Sequence, residues 1–287
     1  MEYSTAAIVC IYLLFACMEL WRSNLFQKEE QTRDDGIVES VSMVILLAVT
    51  QPTVLVASGA LAQFVAPQYA GALAGIPLIA AIVLFLILDD MAQYWWHRAS
   101  HSTPWLYNLH RAHHNARYMS VRLVYRNNII YYALMPSLWL SGILIWLGLG
   151  WVYAGYIVVK MLVITGAHSD VAWDKPLYAK KWLSPVMWVV ERTISTPSTH
   201  HAHHGRHAED PAVNYKGNYG NLLFFWDVLF GTAKITRQYP ESYGVENLAP
   251  ASLGQQLLWP IVPEFKEAEE EAAPLLQVEG APSSNQP

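Results

Sequence analysis

The sequence predicts an all-α, membrane-embedded fold: about four to five membrane helices carrying a helical, histidine-rich cap. Three observations lead there. Hydrophobic residues make up 53% of the 287 and charged residues only 14%, against roughly 25% charged in soluble domains, and the mean hydropathy is +0.19. Two long stretches, 40–88 and 127–159, contain no Asp, Glu, Lys or Arg. Period-two alternation of the β type is scarce throughout. Twelve Trp and sixteen Tyr suit the same class, because their amphipathic rings favour the bilayer interface.

The elements follow in order. An apolar run from Ala6 to Met18 ends at Glu19 and Arg22 and lacks the basic segment of a secretory signal, so an uncleaved first helix is expected. The stretch 40–88 holds two spanning helices connected around Gln63–Gly75, with Gln51-Pro52 as a possible kink in the first. The second of these ends at Asp89-Asp90 and runs into Tyr94-Trp95-Trp96-His97, as a helix leaving the bilayer should. The stretch 127–159 is broken at Gly148-Leu149-Gly150 and reads as a helical hairpin, spanning or re-entrant. Residues 170–237 turn polar and carry a histidine cluster. The chain reads as one membrane-embedded catalytic domain over 1–262, with its histidine core at about 85–245. An acidic tail, 263–287, is expected to be disordered.

Charge and cysteine content exclude other classes. A net charge of −5 gives no sign of nucleic-acid binding. Cys10 and Cys17 have neither the spacing nor the number for a disulfide framework or zinc knuckle. Arg98, Arg111, Arg117, Arg122 and Arg126 flank the histidines, which by the positive-inside rule puts the histidine face in the cytoplasm. That is a multi-pass protein of a bacterial inner membrane, or of the endoplasmic reticulum in a eukaryote. Arg98 and Arg111 are expected to contact lipid phosphates or carboxylates.

Histidines carry the chemistry. Of eleven, five lie within 97–114 and five within 200–207, with His168 alone between them. His97 and His101 are i and i+4, one helical turn apart on one face, so both rings can reach one ion. His110, His113 and His114 form an i, i+3, i+4 trio, and His200, His203 and His204 repeat it. Eight box imidazoles, nine with His168, exceed the three or four protein ligands of a mononuclear site, so two metals are the economical expectation. Zinc, iron, copper and nickel all accept imidazole. A zinc protease of the HExxH type uses the Glu as general base, and here positions 98 and 99 are Arg and Ala. Soluble di-iron bundles rely on Glu and Glu-x-x-His, which this chain lacks, so any di-iron site must be nearly all imidazole.

The ordered boxes HxxxH, HxxHH and HxxHH, with Asp90-x-x-x-Tyr94-Trp95-Trp96-His97-Arg98 before the first, Thr196-Pro197 before the third, and Asn218-Tyr219-Gly220, Phe225-Trp226-Asp227 and Phe230-Gly231-Thr232 after it, form one pattern. In this respect the chain resembles the fatty acid hydroxylase/sterol desaturase superfamily over roughly 85–245. The resemblance implies a non-haem site of two iron ions, O2 as cosubstrate, and attack on an unactivated C–H bond of a lipid. By position, His97, His101, His110, His113, His114, His200, His203 and His204 match the family's ligand boxes. His168 resembles its isolated extra ligand; relatives with a further histidine four residues on depart from this chain, where position 172 is Ala.

Around these ligands, Asp90 and Tyr94 are candidates to support the rings, as are His201, His207 and Asp227. Asp90 lies seven residues before His97, where a carboxylate either accepts a ring N–H or serves as an interfacial helix-end charge; for Asp227 a structural cap or salt bridge is the stronger expectation. The function expected is O2-dependent hydroxylation or desaturation of a fatty acyl chain, sterol or related lipid. A separate electron donor of the ferredoxin, cytochrome b5 or reductase type is required, since no flavin, haem or iron–sulfur motif is present. Two alternatives stand beside it: an ether-lipid or lipid-headgroup monooxygenase of the same fold, which the His204-Gly205-Arg206 stretch resembles, and a zinc-dependent membrane lipid hydrolase.

Overall fold

An apolar segment in a bilayer can satisfy its backbone polar groups only by bonding them internally, so the charge-free stretches become helices. The computed structural model describes residues 2–22, 25–26, 28, 30–248 and 251–262; the acidic tail lies outside them. Among the described residues no strand forms, and the one β-type pairing is an isolated bridge between Gly205 and Tyr243. Four helical stretches are long and apolar enough to cross a membrane. Three of them are α1 (Tyr3–Arg22), α2 (Arg33–Val65) and α3 (Leu78–Ser102). Exposed apolar side chains such as Val9, Leu13, Val56, Phe64 and Ile79 clothe them outwardly, the surface an integral membrane protein presents to lipid.

Local chemistry sets the ends and bends. Thr32 caps α2 reciprocally with Asp35: the Thr32 hydroxyl accepts from the Asp35 N–H at 3.3 Å, and the Asp35 carboxylate accepts from the Thr32 N–H at 2.7 Å. Pro52, which has no N–H to give, follows a π-type turn over Leu46–Thr50, so the expected kink takes the form of a widened turn. α3 ends at Thr103, whose extended backbone suits the residue before Pro104, and the chain turns back into α4 (Pro104–His114).

The fourth stretch, Pro136–His168, reverses on itself. Its arms are α5 (Pro136–Leu144) and α6 (Gly150–His168). Gly148 between them has φ 103°, a left-handed conformation that disfavours any other residue, and a Cβ there would sit 2.9 Å from that of Ala74. The carbonyls released at this tip are taken by the α2–α3 connection: Gly71 N–H donates to Trp146 at 3.1 Å and Leu73 N–H to Leu147 at 2.9 Å. One carboxylate bridges both arms. Asp89 of α3 accepts from Ser141 of α5 at 2.6 Å and from Tyr156 of α6 at 2.8 Å, and it pairs with Lys160. Side chains fifteen positions apart reach the same group only because the chain folds back. The expected hairpin is therefore present, and the tip lies at the end remote from the histidines. Where α5 crosses α2 the backbones nearly touch; a Cβ on Gly142 would lie 2.7 Å from the Leu55 carbonyl oxygen.

The remaining described residues form the cap. Arg126, fully buried, locks three elements together: it pairs with Asp35 of α2 at 2.7 Å, and donates to the Ala112 carbonyl of α4 at 2.6 Å and to Gln256 at 3.0 Å. Buried Glu19 of α1 accepts from Ser120, Val121 N–H and Ser169, each at 2.7–3.0 Å, holding the first helix against the cap. Further helices, α7 (Ser184–Thr193), α8 (Pro197–His203) and α9 (Phe225–Phe230), complete it.

Candidate metal centre

Every box histidine is delivered by a helix end. His97 and His101 occupy the last two turns of α3, and His110, His113 and His114 the last turns of α4. His168 closes α6. Thr196, with Thr199 and Pro197, starts α8 in a capping box, so that His200 and His203 share its inner face and His204 follows as its C-cap. Asp174 reinforces that start by accepting from the Ser198 N–H at 2.9 Å.

The nine rings converge as two adjacent sets. Nε2 of His97 lies 3.1 Å from Nε2 of His203; His101 and His114 are separated by 3.1 Å, and His114 and His110 by 3.2 Å. In the second set, His168 lies 3.0 Å from His200 and 3.3 Å from His113, and His200 lies 3.2 Å from His204. Ligand atoms of His97, His101, His110 and His114 all fall within 4.8 Å of one another, as do those of His113, His168, His200 and His204. His203 joins the first set through His97, and stacking of His114 on His204, centroids 4.3 Å apart, joins the sets.

These separations fit imidazoles that share a bound cation, and where one Nε2 carries a proton they also fit an N–H···N hydrogen bond. Two imidazoles about 2.1 Å from a common ion, subtending roughly 90–110°, hold their nitrogens about 3.0–3.4 Å apart. Far-side nitrogens are already committed. Nδ1–H donates from His97 to the Tyr219 carbonyl at 2.7 Å, from His203 to Gly217 at 2.7 Å, from His113 to Arg126 at 3.1 Å and from His168 to Ile164 at 2.8 Å. His110 donates to the side-chain oxygen of Asn127 at 2.9 Å. A carbonyl oxygen can only accept, so in each neutral ring the proton sits on Nδ1 and the Nε2 lone pair points inward. The His97–His203 and His113–His168 contacts are therefore lone pair against lone pair, repulsive without a positive charge between them. Burial keeps His110, His113, His114, His200, His203 and His204 well below the usual imidazole range, and mutual repulsion adds to it. Neutral, oriented and desolvated rings are what a metal site requires.

The supporting residues differ from expectation. Asp90 does not reach a histidine: its carboxylate accepts from the Leu223 N–H at 3.1 Å and the Trp226 indole at 2.8 Å. Seven helical residues raise it about 10 Å along the axis from His97, too far for a ring contact, and the Tyr219 carbonyl takes the His97 proton instead. Tyr94 bonds Thr232 at 2.9 Å and packs its ring on Tyr219 and Phe230, one step removed from the histidines. Asp227 acts as a cap: it accepts from the N–H groups of Tyr219 at 2.8 Å and Gly220 at 2.6 Å and from Thr232 at 2.6 Å, fixing the loop whose carbonyls orient His97 and His203. His201 stands outside both sets, donating Nε2–H to the Ser169 carbonyl at 3.1 Å and accepting from Tyr243 at 3.1 Å; burial lowers its pKa to about 4. His207 is exposed and pairs with Glu246 at 3.2 Å, away from the centre. Arg111, expected at the lipid surface, is buried, which lowers its pKa to about 10.

Sequence reasoning missed two side chains. Asn127 orients His110 and is itself held by donating to Tyr132 at 3.0 Å. Tyr131 stacks on His110 with centroids 4.8 Å apart. Both also line a cavity of about 120 Å³ that runs from His97, His110, His113 and His168 down between α2, α3, α5 and α6 to Gln51, Asp89 and Lys160. Its walls include Leu46, Leu138, Ile157 and Ile164, so an apolar chain entering it would end beside the imidazoles.

Comparison with known proteins places the chain in a family. The fatty acid hydroxylase family model matches residues 82–232. Alkylglycerol monooxygenase of Danio rerio is 30% identical over 150 residues, covering 50% of this chain and 28% of that protein. The proteins of the same name from Xenopus tropicalis and Homo sapiens are 28% and 26% identical over 145 residues each, again covering 50% of this chain and 28% of theirs. The matched segment is thus well under half the length of these relatives. No solved structure matches the chain.

Proposed function

This chain belongs to the fatty acid hydroxylase family; from that premise we propose that it is an oxidoreductase of the oxygenase type, that it holds two iron ions in its nine imidazoles, and that it oxidises a C–H bond of a membrane lipid with O2. The proposal rests chiefly on the inward-facing Nε2 atoms of His97, His101, His110, His114 and His203 on one side, and His113, His168, His200 and His204 on the other, opening on a cavity between membrane helices. Iron held there would supply O2 activation at the expense of two external electrons and two protons, yielding an alcohol and one water, or, if a second hydrogen is lost, an alkene and two waters.

The chain's own groups do the rest. Carbonyls of Gly217, Tyr219, Arg126 and Ile164 keep the ring protons on Nδ1. α2, α3, α5 and α6 wall the cavity and present the lipid chain end-on to the imidazoles. Zinc hydrolysis is the weaker reading, because the box position that would carry a general-base Glu is Arg98. Among lipids, an ether lipid is the second reading, favoured by the alkylglycerol monooxygenase relatives. Electrons come from a separate protein, and the cap faces the cytoplasm.

The test is incubation of iron-loaded membranes with 18O2, a reductant system and total lipid. A product gaining one 18O, or losing two hydrogens, that disappears in His110→Ala and His200→Ala supports the assignment. Turnover that proceeds equally without O2, with zinc as the bound metal, refutes it.

A further inference from the structure

Most polar groups lining the cavity are satisfied inside the protein. Asp89 has Ser141, Tyr156 and Lys160; Gln51 donates to Tyr153 at 3.3 Å; Asn127 bridges His110 and Tyr132. Among the described residues that line it, two buried polar atoms lack a hydrogen-bond partner: Oε1 of Gln93 and Oγ of Ser137. Ser137 is wholly buried near the start of α5. Gln93 precedes His97 by four residues, one turn on the same face of α3, so it lies about 6 Å along the axis from that ring. A buried polar atom left without a partner is costly, and such atoms in a ligand cavity point to a group that the ligand brings.

The geometry points to a polar subsite formed by Gln93 and Ser137 that receives a hydroxyl group of the lipid, within a few bonds of the carbon presented to the imidazoles. Asp89 of α3 meets Ser141 of α5 at 2.6 Å, and one turn further along α3 and one turn back along α5 sets Gln93 opposite Ser137, so one hydroxyl can serve both orphaned atoms. It donates to the Gln93 carbonyl oxygen, which can only accept, and it accepts from the Ser137 hydroxyl. An ether oxygen can use Ser137 alone, and a plain methylene chain neither. The substrate class is therefore a hydroxyl-bearing lipid, and Gln93 and Ser137 are specificity-determining residues. This inference rests on reading the cavity as the lipid site of the oxygenase proposed above.

Three probes of equal chain length separate the contributions: 1-hexadecanol, hexadecyl methyl ether and hexadecane. The full chain, iron-loaded and held anaerobically in nanodiscs, is equilibrated with each. Retained probe is quantified by mass spectrometry against empty nanodiscs. One hydrogen bond is worth about fivefold in retention, so the wild type should hold hexadecanol about fivefold better than the ether, and the ether about fivefold better than hexadecane. Gln93→Met should abolish the first preference and leave the second; Ser137→Ala should abolish the second. Because neither atom has a partner in the protein, both variants should melt at or above the wild-type temperature without probe. Equal retention of all three probes by the wild type, or preferences that survive both substitutions, would overturn the subsite. A clear fall in melting temperature would do so too, since it would mean that the atoms are satisfied within the protein. His110→Ala keeps the two questions apart: it should lose turnover while retaining the order of probes. A wild type that shows that order but no O2-dependent product would refute the oxygenase and leave the subsite standing.

Discussion

Replacing Asn127 with Leu tests whether the oriented ring, rather than the mere presence of histidine, sets metal affinity. The Asn127 side-chain oxygen accepts the His110 Nδ1 proton at 2.9 Å, and its amide donates to Tyr132 at 3.0 Å. Leucine keeps the branched shape and removes both bonds. His110 is then free to rotate or to move its proton to Nε2, the atom that faces His114 at 3.2 Å. Loss of such a supporting group typically weakens metal binding by about 10–100-fold, which corresponds to roughly 1.4–2.7 kcal/mol. The stranded ring N–H adds about 1–3 kcal/mol of lost folding stability. Iron content should be titrated against a chelator of known affinity, with circular dichroism confirming that the helices persist. Asn127→Asp, which keeps the acceptor, should recover most of the affinity. Wild-type affinity in Asn127→Leu would refute the reasoning, as would equal losses in the Leu and Asp variants.

Three other outcomes follow from the same contacts. Asp227→Ala strands the Tyr219 and Gly220 N–H groups and frees the loop that orients His97 and His203; it should cost about 3–5 kcal/mol and release metal at lower chelator concentration, whereas Asp227→Asn should retain part of both. Gly148→Val should lower the melting temperature, because a left-handed backbone costs a β-branched residue about 1–2 kcal/mol and its Cβ meets Ala74 at 2.9 Å; a wild-type melting curve would remove the hairpin tip from the account. The metal-free protein should lose stability as pH falls below about 6.5. There the unfolded chain binds protons that His110, His113, His114, His200, His203, His204 and His201 refuse in the fold, at about 1.4 kcal/mol per pH unit for each such histidine. Stability should be flat with respect to these groups above pH 7.5, and denaturation midpoints across pH 5–8 read the slope.

Much of this could be read from composition and spacing. The charge-free stretches, the hairpin at Gly148, and the nine histidines that meet in two sets were all expected, because bilayer thickness and the helical period act directly on residue type. What supports the histidines could not be read in this way. Among the nine converging rings, four of the five Nδ1 protons with a located acceptor go to backbone carbonyls, at Arg126, Ile164, Gly217 and Tyr219, and every residue has a carbonyl. Asp90 looked like a ring acceptor because helical periodicity reports the face of a helix and not the distance along it. Asn127 sits at the start of an apolar run with nothing in its local pattern to mark it, and only the fold brings it to His110. Arg111 and Arg126, read as a flanking positive charge, are buried; Arg126 spends its charge on Asp35 and the backbone of α4.

We propose a centre of two metal ions held by imidazole alone. It is tested most directly by counting metal per chain in protein purified from iron-supplemented cells, alongside two double variants that each open one set. Two irons per chain are expected in the wild type. About one should remain in His97→Ala/His203→Ala and about one in His168→Ala/His200→Ala, with the helical content unchanged. A single ion in the wild type, or two ions surviving in either double variant, would contradict it.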